Sequence, residues 1–213
     1  KMAKCDNIAM SVIRRLPRYY RFLSELDSQN VERISSNKLA EIMHVTASQV
    51  RQDLNCFGGF GQQGYGYAVK QLKDEISNIL GLGLNHPAIL IGAGNLGKAI
   101  ASHMNFNNLG FSLVGIFDKD KKLEGKKISG IAVSNDNSIE EFITSNNVKA
   151  AFLCVPKNGI DNIVNRLYNA GIRTFWNFSH YDISNTYNDT IVENVHLSDS
   201  LMTLCYRINE NND

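Results

Sequence analysis

The sequence has no CxxC pair: its four cysteines, Cys5, Cys56, Cys154 and Cys205, lie far apart. That spacing argues against a zinc knuckle or a disulfide framework and leaves reduced thiols in a reducing compartment as the expectation. The five histidines, His44, His86, His103, His180 and His196, include no pair at ligand spacing on a helix, so no metal is expected. No stretch approaches the roughly 20 unbroken apolar residues of a membrane span. Nor does the N-terminus show a charged leader, an apolar run and a small-residue cleavage site. A soluble cytoplasmic protein without a membrane partner is expected. Internal repeats and low-complexity runs are also missing.

An excess of either charge is lacking too, with a net charge of +1. The near balance hides an asymmetry. Residues 1–80 carry 11 Lys+Arg against 8 Asp+Glu, and the remainder 11 against 13. The net of +3 therefore falls on the leading segment, where a polyanion would need it. With 213 residues, 43% of them hydrophobic, the chain can build one large or two modest cores.

In that leading segment, "IAMSVIRRLPRYYRFLSELD" spaces Ile13, Leu16, Tyr20, Leu23 and Leu26 as an amphipathic helix, with Pro17 as a kink or restart. Arg14, Arg18 and Arg21 fall on its other face. Two short helices follow. The first has Ser35 or Ser36 as N-cap, with Leu39, Ala40 and Ile42 or Met43 facing inward. The second has Thr46 as N-cap and Val50 and Leu54 as a buried pair. Together they read as a helix-turn-helix, and Ser48, Gln49, Arg51, Gln52 and Asn55 remain for the outside. Arg and Gln side chains can make bidentate contacts to guanine and adenine edges, while Ser and Thr can take phosphates. "GGFGQQGYGYAV" then suits a two-stranded ribbon turning at Gln62, Gln63 and Gly64, with Phe60, Tyr65 and Tyr67 interleaved. A helix-turn-helix followed by a ribbon predicts a winged helix, closed by a helix over 68–82 that stops at Gly81 and Gly83.

From Ala88 the pattern alternates strand and helix, as in a parallel doubly wound sheet. Strands are expected at 87–94, 111–118, 149–156 and 172–178, and helices at 95–104, 138–147 and 160–171. Gly92, Gly94 and Gly97 form GxGxxG between a strand and a helix. This is the Rossmann pyrophosphate turn, and it brings Ala93, Asn95 and Leu96 with it. Phe117 and Asp118 end the next strand about 20 residues further on, where a carboxylate takes the ribose hydroxyls and favours NAD(H) over NADP(H). Val155 and Pro156, with Asn177 and Phe178, lie at the carboxyl ends of later strands, the ligand edge of such a sheet.

Taken in order, "RRLPRYYRFL", "TASQVRQDLNCFG", "GFGQQGYGY", "LIGAGNLG" and "VENVHLSDSLMTL" closely resemble the Rex family of bacterial redox-sensing transcriptional repressors over nearly the whole chain. The resemblance implies a homodimer whose winged helices bind palindromic double-stranded operator DNA. It also implies that NADH in the Rossmann domain releases the DNA while NAD+ competes. The last helix, with Leu197, Leu201, Leu204 and Ile208 as an apolar stripe, is exchanged between subunits in the family. Packing on its own domain is the plain alternative for that stripe. Two positions depart from the family pattern. His196 stands where an aspartate pairs with the arginine equivalent to Arg21, with Leu197 where an aromatic can sit, and Gln62 and Gln63 occupy the wing tip in place of a basic residue.

The expected division is a winged-helix domain over 1–84, a Rossmann domain over 85–195 and a dimerisation helix and tail over 196–213. The expected function is an NADH-responsive repressor rather than an enzyme. The chief rival is an NAD-dependent oxidoreductase with a helical dimerisation domain. A CoA- or nucleotide-binding module and a thiol sensor through Cys56 are further alternatives.

Overall fold

Proline has no N–H to give a helix interior, and Pro17 sits where none is needed, in the first turn of a helix. The computed structural model describes residues 8–58, 61–62 and 65–210. A short helix α1 (Met10–Ile13) stops at Arg14, and α2 (Leu16–Ser28) restarts the chain. Leu16, Tyr19 and Leu23 are the buried residues of α2; Tyr20, expected inward, is only half-buried. The apolar stripe was read one residue off there, because the buried ring is the one whose hydroxyl finds a carboxylate partner.

A two-residue strand β1 (Arg33–Ile34) precedes α3 (Ser36–Met43). Ser35 caps α3 by accepting the Lys38 N–H at 3.1 Å, and His44 ends it in a left-handed conformation at φ 50°. Thr46 then caps α4 (Ala47–Asn55) by accepting the Gln49 N–H at 3.1 Å. β2 (Gly61–Gln62) and β3 (Gly66–Ala68) pair antiparallel, and β1 adds on the far side of β3. α5 (Val69–Leu80) closes the unit and stops at Gly81, φ 71°. Leu39, Met43, Val50, Leu54, Leu72 and Ile76 fill one core with the α2 residues. The order helix, strand, two helices, ribbon, helix is a winged helix.

The chain divides into two compact units, Lys1–Gly83 and Leu84–Asp213. The second unit runs β4 (His86–Ile91), α6 (Asn95–His103), β5 (Phe111–Asp118), β6 (Lys127–Ile128), β7 (Ile131–Asn135) and α7 (Ile139–Ser145). It continues through β8 (Ala150–Leu153), α8 (Ile160–Asn169), β9 (Thr174–Asn177), α9 (Ile183–Thr186), β10 (Ile191–Asn194) and α10 (Leu197–Glu210). The strand order is β10-β9-β8-β4-β5-β7-β6, parallel except for β6. Side chains alternate across this sheet as its pleat requires. Ile89, Ile91, Phe117 and Phe175 pack with α7 and α8 on one face, and Ala88, Leu90, Ile116 and Phe152 with α6 on the other. The direction of winding reverses at β4, so the crevice for a ligand opens beyond the ends of β4 and β8.

One buried charge ties the first unit together. Asp53, on α4 and 1% exposed, accepts two hydrogen bonds from Arg15, at 2.7 and 2.6 Å, and one from the Tyr19 hydroxyl at 3.1 Å. Burial pushes this carboxyl up, but hydrogen bonds from Arg15, Gln49 and Tyr19 outweigh burial and hold it below the usual carboxylate range. Loss of water, and then the same carboxylate, push the Tyr19 hydroxyl up beyond its ordinary range. Arg15→Ala is expected to destabilise the winged helix by roughly 2–3 kcal/mol, less than a fully enclosed pair because the guanidinium is part exposed. Because the folded pKa of Asp53 lies below its unfolded value, the pair's contribution is complete above about pH 4 and is lost as pH falls through the folded value. Urea unfolding of wild type and variant at neutral pH and in acid checks both; a gap that does not narrow in acid refutes the assignment.

Candidate nucleotide site and nucleic-acid interface

The nucleotide cleft starts from two places where no side chain fits. A Cβ on Gly92, φ +98°, would lie 2.6 Å from the Cys154 carbonyl oxygen and 2.8 Å from Val155 Cγ1. A Cβ on Gly97 would lie 1.8 Å from the Gly92 carbonyl oxygen. These contacts let α6 start against the end of β4 and aim its first amides into the crevice. Gly94, the N-cap of α6, is different: a Cβ there would meet nothing within 4 Å. The protein itself does not require glycine at that position. No side chain caps α6, so the first-turn amides from Asn95 to Gly97 remain for a ligand. Leu96 is exposed beside them.

Asp118 ends β5, and both its oxygens already hold backbone. Oδ2 accepts the Ala93 N–H at 2.6 Å and Oδ1 accepts the Asp120 N–H at 2.8 Å. The carboxylate thus fixes the glycine turn and keeps only its remaining lone pairs for ribose. Gly92, Gly94, Asp118, Val155 and Pro156 line one cleft with Ile91, Lys119, Asp136, Cys154, Asn158 and Gly159. Phe117 lies buried behind it. Sequence reasoning missed Lys119, Asp136 and Asn158 as lining residues. The available signal was their place just past the ends of β5, β7 and β8. Burial pushes the Cys154 thiol up to about 12, so it stays protonated and is no nucleophile.

Two residues expected at the nucleotide are held by other parts of the chain. Asn177 is buried and does not line the cleft. Its Nδ2 donates to the Tyr181 carbonyl oxygen and to Asn194 Oδ1, while its Oδ1 accepts from the Ser179 N–H and hydroxyl. A buried amide with its donors and acceptor engaged holds loops together and has little left for a ligand. Phe178 packs edge-on against Trp176, with ring centroids 4.5 Å apart, on the α6 face.

On the first unit, Arg14, Ser48, Arg51 and Gln52 are exposed. Arg51 donates to the Ser36 hydroxyl at 3.1 Å, which steadies it across the two helices of the turn. Ser35 and Thr46 are also exposed, and their hydroxyls already serve as caps. Gln49, expected outside, is half-buried, and its Nε2 donates to Asp53 Oδ1 at 2.8 Å. Tyr65 is 71% exposed at the ribbon, where Arg33 of β1 donates to its carbonyl oxygen at 3.0 Å and lies 6.0 Å over its ring. Sequence reasoning missed Arg33 because β1 is too short to show a period. Gln62 lies in β2, and Gln63 falls outside the described residues.

Arg21 is exposed with its guanidinium 5.4 Å over the Phe22 ring. His196, at the start of α10, stacks on His180 with centroids 5.1 Å apart and planes 9° apart, and its Nδ1 is buried without a hydrogen-bond partner among the described residues. Leu197, Leu201, Leu204 and Ile208 are 52% to 66% exposed and no described residue of α10 is buried, so the stripe does not pack on its own unit.

Known proteins match this architecture in both units. Residues 7–55 match the family described as "Putative DNA-binding protein N-terminus", and residues 85–181 match the CoA binding domain. A redox-sensing transcriptional repressor Rex of Thermoanaerobacter pseudethanolicus is 52% identical over 98% of this chain and 93% of its own length. The chain belongs to the Rex family. This family consists of transcriptional repressors and not of enzymes. The crystal structure of the repressor RSP in complex with NAD+ and operator DNA is 51% identical, with a TM-score of 0.89 over 97% of this chain and 94% of RSP. RSP in complex with NADH is 48% identical, with a TM-score of 0.88 over 96% of each chain. The expected fold class, a winged helix before a Rossmann-like sheet with a helical C-terminus, agrees with these structures.

Gly94→Val tests the open approach to α6. Its stability should fall by about 1 kcal/mol or less, the cost of a poorer N-cap, while NADH affinity in calorimetry should fall by about tenfold or more. Unchanged affinity would remove Gly94 from the ligand surface.

Proposed function

We propose that this Rex-family chain is a homodimeric repressor that reads palindromic operator DNA through its winged helix and releases it when NADH fills the cleft beyond β4. One observation carries the reading. A single chain pairs an outward-facing Arg51 and Gln52 on a capped reading helix with a glycine-turn cleft, and its solved relatives hold operator DNA with NAD+ or NADH alone. The division of labour follows the expected domains: residues 1–84 read DNA, 85–195 hold the nucleotide, and 196–213 join two copies. We propose a cytoplasmic location, the compartment in which bacterial operator DNA is read. No described helix is long and apolar enough to cross a membrane.

In the cleft, the α6 amides and positive helix end face the pyrophosphate, with Gly94 permitting its approach. Asp118 meets the adenosine ribose and disfavours a 2′-phosphate. Apolar Ile91, Val155 and Pro156 cover the nucleotide. On the DNA side, Arg51 and Gln52 face base edges, Ser48 and Arg14 face phosphates, and Tyr65 lies on the ribbon that forms the wing. The exposed stripe of α10 packs on a second copy. NADH shifts the equilibrium only by binding the released dimer geometry better than the DNA-bound one. With two reading helices in major grooves a helical turn or a multiple apart, a rotation between subunits moves both out of register.

The oxidoreductase reading needs a proton donor and a substrate anchor beside the nicotinamide. Family membership argues against it, and the cleft thiol, pushed up to about 12 by burial, gives up its proton too reluctantly to serve as the donor.

A labelled A·T-rich palindrome titrated at fixed salt with NADH, and then with NAD+, tests the switch. Release by NADH that NAD+ opposes is expected; tight binding indifferent to both nucleotides refutes it. Arg51→Ala should weaken operator binding by about 1–3 kcal/mol with NADH affinity unchanged. Leu201→Asp should convert dimer to monomer in sedimentation, and a dimer that survives would free α10 from that role.

A further inference from the structure

The carboxylate of Asp53 has about four sites for hydrogen-bond donors and no proton of its own to give. All four are taken. Oδ2 accepts from Arg15 Nε and the Tyr19 hydroxyl, and Oδ1 accepts from Arg15 Nη2 and Gln49 Nε2. An amide can meet an ionised carboxylate only through its NH2 end. The orientation of Gln49 is therefore chemically determined. Its carbonyl Oε1 must point away from Asp53, and no hydrogen bond among the described residues engages it.

Gln49 and Asp53 are one turn apart on α4, as Arg15 and Tyr19 are at the start of α2, so the four side chains form one clamp between two helices. The clamp lies along the edge of the reading face that Ser48, Arg51 and Gln52 present. We infer that Asp53 is a positioning residue for base recognition: it locks the Gln49 amide so that this side chain offers the major groove a carbonyl acceptor. The base group it fits is an exocyclic amine, adenine N6 or cytosine N4. The remaining Nε2 proton can add a bond to adenine N7. An unclamped glutamine turns either end outward and tolerates keto groups as readily as amines. Asp53 thus sets what Gln49 can accept without touching DNA itself.

This inference rests on the DNA-reading function proposed above. The test uses the full-length dimer and a palindromic A·T-rich operator in which each base pair of the half-site is replaced in turn. Q49M keeps the side-chain bulk without the amide and identifies the base pair that Gln49 reads. At that pair, discrimination should fall from about tenfold in wild type to about twofold in Q49M. D53N should lower discrimination at the same pair to about twofold, read as the ratio of affinities for the original and replaced pair so that any general change in stability or DNA affinity cancels, and in the Q49M background it should add nothing. The inference is overturned if D53N keeps full discrimination there or if Q49M changes no pair. Should D53N fail to fold, NMR of the wild-type Gln49 side-chain amide decides: a slowly exchanging proton supports the clamp, and a freely exchanging one overturns it. A wild-type protein with no preference for operator over random duplex overturns the DNA-reading function and this inference together, and is distinguished because it appears before any variant is made.

Discussion

Helix α6 can begin against the end of β4 only because residues 92 and 97 have no side chain. That close approach sets the geometry of the nucleotide unit. It brings the helix start to the point where the sheet reverses its winding, and it places the Ala93 amide within reach of Asp118. Asp118 in turn fixes the turn, so the carboxylate at the end of β5 holds the glycine loop in shape. A ligand that alters one of these contacts meets the others at once. Such a preformed site costs little to organise on binding.

The winged helix is built on a different principle. Its small core is joined by a charge cluster rather than by apolar packing alone, and the cluster fixes α4 against α2. A wholly apolar contact of the same area would hold the helix as firmly but would leave its polar side chains free to choose their partners. The stability of a buried ion pair is a weak reason for its presence. Control over the orientation of neighbouring groups is a stronger one.

Much of this was legible in the sequence wherever apolar spacing speaks. β5 spans Phe111–Asp118 as its pattern indicates, Thr46 caps the helix it was assigned to, and Val50 and Leu54 are buried. The strand expected over 149–156 shortens to Ala150–Leu153, because the chain turns into the cleft at Cys154 and Pro156 has no N–H for a ladder. Short elements were missed: β1, β6 and β10 offer two to four residues, too few for a period to emerge. Asp53 was invisible because its burial depends on an arginine 38 positions away. The contacts of Asn177 were invisible for the complementary reason. It stands at the ligand edge, yet its amide is used by Tyr181, Ser179 and Asn194, partners that position alone does not disclose.

The uncovered apolar stripe of α10 has a consequence for inheritance. If two copies complete each other through that helix, every chain able to fold its C-terminal unit competes for intact partners, whether or not its winged helix works. Mixed dimers would carry a single reader across a two-part palindrome. A damaged reading helix would then be a dominant lesion, because it disables the healthy copy it joins, whereas a damaged α10 would be recessive, because it joins nothing.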